Sequence, residues 1–102
     1  MQAIITENRE KIAELCRQHH VRRLSVFGSA VRDDFDPVRS DIDFLVDFES
    51  SEHRRDFEVQ GLLQQKLAEL LDRPIDLIRE GTVRNPYIRQ AIETDKETLY
   101  AA

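Results

Sequence analysis

Two aspartates separated by one residue lie in an apolar segment of the chain. Asp41 and Asp43 belong to the run Ser-Asp-Ile-Asp-Phe-Leu-Val, whose apolar residues predict a β-strand. Residues two apart on a strand project from the same face, so the two carboxylates are expected to face the same side. Hard divalent cations such as Mg²⁺ prefer oxygen ligands and keep places for phosphate oxygens. The pair therefore predicts a metal site, whereas its simplest alternative is a strand edge whose carboxylates face water.

A glycine–serine pair precedes the two aspartates. Gly28 and Ser29 follow an apolar run and open a polar segment. A turn of this kind that leads into a helix presents free backbone N–H groups to an anion. Ser29 is also a good N-cap residue, and the two roles are compatible. A phosphate-binding turn next to a two-carboxylate metal site is the equipment for two-metal phosphoryl or nucleotidyl transfer.

A third carboxylate lies inside a later apolar segment. Asp76 is the one polar residue of the short run from Ile75 to Ile78, and an acidic side chain in such a strand is costly if it is buried alone. If this strand lies beside the one that carries Asp43, Asp76 can join the metal that activates an attacking hydroxyl, or accept its proton. The alternative is an exposed residue at the edge of the sheet.

The composition limits the class of protein. The chain has 102 residues, of which 40% are hydrophobic, and we expect residues 1–102 to form a single domain. The formal net charge of −5 argues against general binding to nucleic-acid backbones, which favour a basic surface. A small nucleotide that brings its own Mg²⁺ is compatible with this charge.

The cysteine count and hydropathy bear on location. Cys16 is the only cysteine, so an internal disulfide is impossible, which fits a reducing cytosol. We expect Cys16 to be a small buried apolar group. No apolar run has the length of a membrane span, and the N-terminus lacks a signal-peptide pattern. The expectation is a cytoplasmic protein without membrane association.

The order of predicted elements indicates an α/β (α+β) fold with a small mixed sheet and helices mainly on one face. The short connection between the first two strands favours an antiparallel pair. The predicted elements are a helix from near Thr6, as N-cap, to near His19-His20; a strand from Arg23 to Phe27; a short helix from Ser29 to about Asp33; a strand from about Asp41 to Phe48; a helix from about Asp56 to Leu71; a strand from Ile75 to Ile78; a helix that begins at Asn85-Pro86; and Leu99-Tyr100, as a terminal strand or packed on the core.

Two helices carry apolar residues at three-and-four spacing. In the longer one we expect these residues to pack in the core: Val59, Leu62, Leu63, Leu67, Leu70 and Leu71. The last helix carries Tyr87, Ile88, Ala91 and Ile92.

Together these residues resemble the minimal nucleotidyltransferases (MNT) of the DNA polymerase β superfamily. The hallmark of that family is Gly-Ser, a loop, Asp-x-Asp and a third carboxylate on a later strand. Gly28-Ser29, Asp41-Ile42-Asp43 and Asp76 match it in order and context. From the frequent family run Gly-Ser-x-Ala-Arg-Gly this chain keeps Arg32, while Val31 and Asp33 replace the alanine and the second glycine.

The resemblance implies a polymerase β-like nucleotidyltransferase fold and an enzyme. It implies a pair of Mg²⁺ ions held by Asp41, Asp43 and Asp76, and ATP bound by Gly28, Ser29, Arg32 and Ser40. Arg32 can bind the triphosphate or pair with Asp33. Single-domain members of this size resemble the antitoxin of a toxin–antitoxin pair, which transfers AMP from ATP to a tyrosine of a helical HEPN toxin.

Two other functions are open at this point. The chain can be a binding module that neutralises such a toxin by covering its active site, although a pure inhibitor has no use for three carboxylates. It can also be a nucleotidyltransferase that modifies a small molecule. Such enzymes need a further domain to hold the acceptor, and 102 residues leave no room for one.

Overall fold

A computed structural model describes residues 2–31, 41–49 and 53–102, and leaves out the side chains of residues 53–57. The helices are α1 (Ala3–Glu7), α2 (Arg9–Gln18), α3 (His53–Leu71) and α4 (Pro86–Asp95), and a 3₁₀ turn covers Gly28–Ala30. The strands are β1 (Val21–Phe27), β2 (Ile42–Phe48), β3 (Ile75–Arg79) and β4 (Glu97–Ala101).

The four strands form one mixed sheet in the order β3-β2-β1-β4. β1 pairs antiparallel with both β2 and β4, so the expectation of an antiparallel first pair is confirmed. β3 pairs parallel with β2, and α3 supplies the crossover that a parallel pair needs. The predicted mixed sheet and the terminal strand are both present.

Alternation along β2 separates a core face from an open face. Ile42, Phe44 and Val46 are fully buried and belong to one apolar cluster with residues of α2 and α3. The opposite face of β2 carries Asp43, Leu45 and Asp47, and both aspartates are half-buried. The helices α2 and α3 therefore cover one face of the sheet, as predicted, and leave the aspartate face to α4 and solvent.

The predicted start of the first helix at Thr6 is wrong. Thr6 lies inside α1, where its hydroxyl donates to the carbonyl of Ala3 at 3.1 Å. The break comes at Asn8, the residue between α1 and α2, whose side chain donates to the carbonyl of Ile4 at 2.7 Å. The extra helix forms because Ile5 is fully buried and its packing stabilises a short segment with no capping signal of its own.

One residue of the predicted leucine stripe is misplaced. Leu63, Leu67 and Leu71 are buried, but the side chain of Leu62 is 54% exposed. Successive residues are about 100° apart around a helix, because a turn takes 3.6 residues. The core therefore takes the row that contains Leu63 and excludes its neighbour.

The N-terminus of α4 follows the sequence prediction. The Asn85 side chain accepts from the backbone N–H of Tyr87 at 2.9 Å and of Ile88 at 3.4 Å. Pro86 occupies the first helical position, where its missing N–H costs nothing. In the described part of the chain, none of the helices combines the length and apolar character needed to span a bilayer.

Candidate active site

The end of β1 brings a glycine against an aspartate of β2. Phe27 is the register partner of Asp43, and Gly28 follows with φ of +74°. A β-carbon on residue 28 would lie 2.5 Å from Oδ2 of Asp43. Glycine is therefore required here both by a left-handed backbone conformation and by close approach of the carboxylate.

The parallel pairing of β2 and β3 joins a second carboxylate to the first. Asp43 and Asp76 are register partners, so they lie on the same face of strands that run about 4.8 Å apart. The backbone N–H of Ile42 donates to the carbonyl of Pro74 at 3.0 Å, which fixes the register where both strands begin. The expectation that the strand of Asp76 lies beside that of Asp43 is confirmed.

Asp41 lies immediately before β2 and is exposed, as is Asp76 on the edge strand β3. The strand predicted from about Asp41 to Phe48 is thus confirmed, since β2 covers Ile42–Phe48. The three carboxylates lie at one end of the sheet, where β2 and β3 begin and β1 ends just before Gly28. This end of the sheet therefore combines a turn that begins with glycine and three acidic residues.

The three carboxylates lie near one another, but their side chains are not arranged around a common metal position. Among the described residues, no three His, Cys, Asp or Glu side chains are gathered as ligands of one ion. The donors are nevertheless carboxylate oxygens, which hard cations such as Mg²⁺ prefer. Asp41 and Asp76 are exposed, so their side chains can change rotamer at small cost. The residues present thus fit a divalent cation that gathers them on binding.

Of the remaining predicted site residues, the structure describes Ser29 but not Arg32 or Ser40. Ser29 is half-buried within the 3₁₀ turn. The sequence predicts a short helix from Ser29 to about Asp33, and the part of it that the structure describes is this turn. Arg32 and Ser40, which the resemblance assigns to the nucleotide, lie outside the described residues.

Acidic residues farther along the same face have arginine partners within the chain. Asp47 lies 3.6 Å from the guanidinium of Arg22. Glu80 accepts from Arg23 at 2.9 Å with each carboxylate oxygen, and this hydrogen bond raises the pKa of the Arg23 guanidinium. Because both arginines are exposed, these surface pairs contribute little to stability. Asp47 thus has an arginine partner and lies four residues along β2 from Asp43.

Sequence reasoning missed a groove beside the glycine. The α4 groove, with a volume of about 310 Å³, lies between Phe27 and Gly28 on one side and one face of α4 on the other. Two side chains of that helix face, Tyr87 and Ile88, are 86% and 50% exposed. The available signal was an aromatic residue at the exposed start of an amphipathic helix, but its proximity to Gly28 depends on the tertiary fold.

A family model described as "Polymerase beta, Nucleotidyltransferase" matches residues 10–102. The chain belongs to this nucleotidyltransferase family. The match includes the whole sheet and all three carboxylates, so the resemblance inferred from the motif and the predicted fold class are confirmed. The protein is a nucleotidyltransferase.

One sequence relative is named for an activity. A protein of Methanocaldococcus jannaschii, named as a candidate protein adenylyltransferase, is 37% identical over 82 residues, which is 79% of each chain.

Solved structures agree on the fold of the nucleotidyltransferase. A structure of a candidate minimal nucleotidyltransferase has a TM-score of 0.75 at 29% identity, over 91% of this chain and 90% of the other. A toxin–antitoxin structure with AMP-PNP has a TM-score of 0.72 at 28% identity, over 93% of this chain and 74% of the other. In the structure of a tri-AMPylated Shewanella oneidensis HEPN toxin in complex with MNT antitoxin, the matched chain has a TM-score of 0.67 at 25% identity. The match covers 95% of this chain and 72% of the other.

Proposed function

We propose that this nucleotidyltransferase transfers AMP from ATP to a protein hydroxyl, in a reaction that depends on Mg²⁺. The acceptor is a tyrosine of a HEPN-type toxin, and the chain acts as the antitoxin in the cytoplasm. One observation carries the proposal. Gly28 lies against the carboxylate of Asp43, and Asp43 has Asp76 as its register partner. The turn at Gly28 and two carboxylates thus share one end of the sheet.

The carboxylates define where Mg²⁺ would be held. Asp41, Asp43 and Asp76 are the proposed ligands of a pair of ions, which supply positive charge to the triphosphate when bound. The chain itself has a net charge of −5. Without such cations, its acidic residues would repel the phosphates rather than bind them.

The nucleotide phosphates are proposed to lie at the 3₁₀ turn. Because Gly28 has no side chain, its backbone can approach a phosphate closely, and backbone N–H groups of a tight turn attract anions. Ser29 adds a hydroxyl donor, and Arg32 and Ser40 are the further proposed contacts. Arg32 would provide a positive charge of the chain's own.

The acceptor side of the site is open. Asp76 is exposed on β3, an edge strand, so a partner protein can bring a hydroxyl to it. In the proposed step the hydroxyl oxygen bonds to the α-phosphorus, the bond to pyrophosphate breaks, and Asp76 accepts the hydroxyl proton. The chain's contribution is to hold the two reacting groups in line.

Two of the matched proteins support a protein acceptor. The relative from M. jannaschii is named for protein adenylylation, and one matched structure holds a HEPN toxin that carries AMP groups together with its MNT antitoxin. An exposed site on a 102-residue chain suits an acceptor that supplies its own binding surface.

Labelled ATP tests the proposed reaction. The chain is incubated with Mg²⁺, a HEPN-type partner and ATP labelled at either the α- or the γ-phosphate. Label on the partner from the α-position, and none from the γ-position, is expected. Label from the γ-position would show phosphoryl transfer instead, and no label from either would refute the enzyme proposal.

Two aspartates of β2 provide a matched pair of variants. Asp43 and Asp47 lie on the same face of the strand and are both half-buried. Asp43→Asn is expected to abolish labelling. Asp47→Asn removes the pair with Arg22 and is expected to retain labelling.

The matched complex of a HEPN toxin with an MNT antitoxin favours one competing function. In that alternative the chain neutralises a toxin by covering its active site. Full neutralisation by Asp43→Asn, without any labelling of the partner, would support it.

A further inference from the structure

We propose that the α4 groove binds the base and ribose of the nucleotide whose phosphates lie at Gly28. The inference rests on the proposed nucleotide site and assigns to it a part that the sequence motif does not contain. The motif residues account for phosphates and metal, and none of them provides a surface for a nucleobase.

The first argument is continuity. Gly28 belongs both to the phosphate turn and to the lining of the groove, so a ligand held at the turn by its phosphates can extend directly into the groove. A larger cavity of about 560 Å³ lies on the same side of the sheet, between Leu45, Glu80 and Arg89. Its lining includes none of the proposed phosphate or metal residues, so continuity favours the smaller groove.

The second argument is the shape of the helix face. Tyr87, Ile88, Ala91 and Asp95 all line the groove. Residues three and four apart share one side of a helix, so these positions form a continuous apolar strip that ends at a carboxylate. Asn85 caps this helix with hydrogen bonds to Tyr87 and Ile88, which holds the backbone of the strip in place.

The third argument is the exposure of large apolar groups. Among the described residues, three large hydrophobic side chains are exposed, and two of them, Tyr87 and Ile88, line this groove. Small-molecule sites are mostly apolar and occupy roughly 300–1,000 Å³, and the groove has about 310 Å³. Aromatic rings are the usual stacking platforms for nucleobases. The groove thus fits a flat ring in both size and chemistry.

Comparing ATP with inorganic tripolyphosphate isolates the base. Both ligands are titrated in the presence of Mg²⁺ into the wild-type chain, Tyr87→Ala and Tyr87→Phe. Tyr87→Ala is expected to weaken ATP binding by roughly 5- to 160-fold, the loss of one base–aromatic stack, and to leave tripolyphosphate binding unchanged. Tyr87→Phe keeps the ring and should bind ATP like the wild type.

Leu62→Ala is the matched control. Leu62 is also a large exposed apolar residue, at 54%, but it lies on α3 and does not line the groove. Its removal should leave both affinities unchanged. Because Tyr87 and Leu62 are exposed, neither substitution opens a cavity in the core.

A second measurement does not depend on a variant. In backbone amide NMR spectra of the wild type, ATP should shift resonances of both the 28–30 turn and residues 87–95, whereas tripolyphosphate should shift those of the turn alone.

Each remaining outcome has a defined meaning. Unchanged ATP affinity of Tyr87→Ala, or an equal loss for both ligands, would overturn the base site and leave the phosphate site standing. Wild-type chain that binds neither ligand would overturn the base site together with the proposed function.

Discussion

Gly28 and Asp43 are so close that a β-carbon on residue 28 would lie 2.5 Å from Oδ2 of Asp43. The glycine of the turn and the aspartate of the strand are thus one structural unit, although fourteen positions separate them in the chain. Any side chain at position 28 displaces a proposed metal ligand as well as narrowing the approach for phosphate.

Replacement of Gly28 by alanine tests this unit. Gly28→Ala is expected to lose Mg²⁺-dependent ATP binding and to lower the free energy of unfolding by about 1–2 kcal/mol, the cost of a left-handed non-glycine residue, plus the clash with Asp43. Calorimetric titration and thermal unfolding measure the two effects.

Gly81→Ala is the matched control for Gly28→Ala. Gly81 also has a positive φ, +88°, but a β-carbon there would meet no atom within 4 Å. It should share the backbone cost and retain ATP binding. Equal ATP affinity of the two variants would contradict the close-approach explanation.

The register partnership of Asp43 and Asp76 predicts a stability that depends on metal. Like charges at directly paired strand positions repel each other and are destabilising. Asp76→Asn should therefore raise the melting temperature in the absence of Mg²⁺. Mg²⁺ should stabilise the wild type more than this variant, and equal Mg²⁺ effects on both chains would argue against Asp76 as a ligand.

The buried thiol predicts a pH effect on stability. Cys16 is fully buried, and burial raises its pKa from 9.0 to about 12. The unfolded chain loses this proton first, so stability is retained below pH 9 and falls by about 1.4 kcal/mol per pH unit above it. Denaturant unfolding from pH 8 to 11 measures the slope.

Cys16→Ala provides the comparison for this slope. The variant loses packing at every pH, but it should lack the part of the alkaline decline that Cys16 causes. Parallel curves for the two chains would show that the thiol does not titrate differently on folding. In the native wild type at pH 8, thiol reagents should not modify Cys16 until denaturant is added.

The cap of α4 supports the proposed base site. Asn85→Ala removes the acceptor for the N–H groups of Tyr87 and Ile88, at a cost of about 1 kcal/mol, and should weaken ATP binding through disorder at the start of the helix. Asn85→Asp keeps an acceptor oxygen and should preserve both stability and affinity. Loss of stability without loss of ATP affinity would separate the helix start from the nucleotide.

Local patterns were sufficient to predict the sheet and its carboxylates. The alternation around Asp43, the apolar run around Asp76 and the Asn85-Pro86 signal each depend on neighbouring residues, and each gave the right element. The short link between β1 and β2 also favoured antiparallel pairing, which places Gly28 beside Asp43.

Features set by tertiary packing could not be predicted in this way. Burial of Ile5 stabilises α1 without a cap, and exposure of Leu62 follows from which row of α3 faces the sheet. The α4 groove depends on where that helix lies relative to Gly28, a distance that no local pattern contains. The approach of these elements is fixed by the packed core rather than by their own sequences.

The intact mass of a HEPN-type partner, after incubation with the chain, ATP and Mg²⁺, tests the central claim most directly. The account predicts a gain of about 329 Da, the mass of one AMP group, or a multiple of it, located on tyrosine by fragmentation. With Asp76→Asn the partner mass should stay unchanged, although this variant still binds ATP. An unmodified partner with the wild type, together with undiminished neutralisation by Asp76→Asn, would contradict AMP transfer and leave a protein that acts by binding alone.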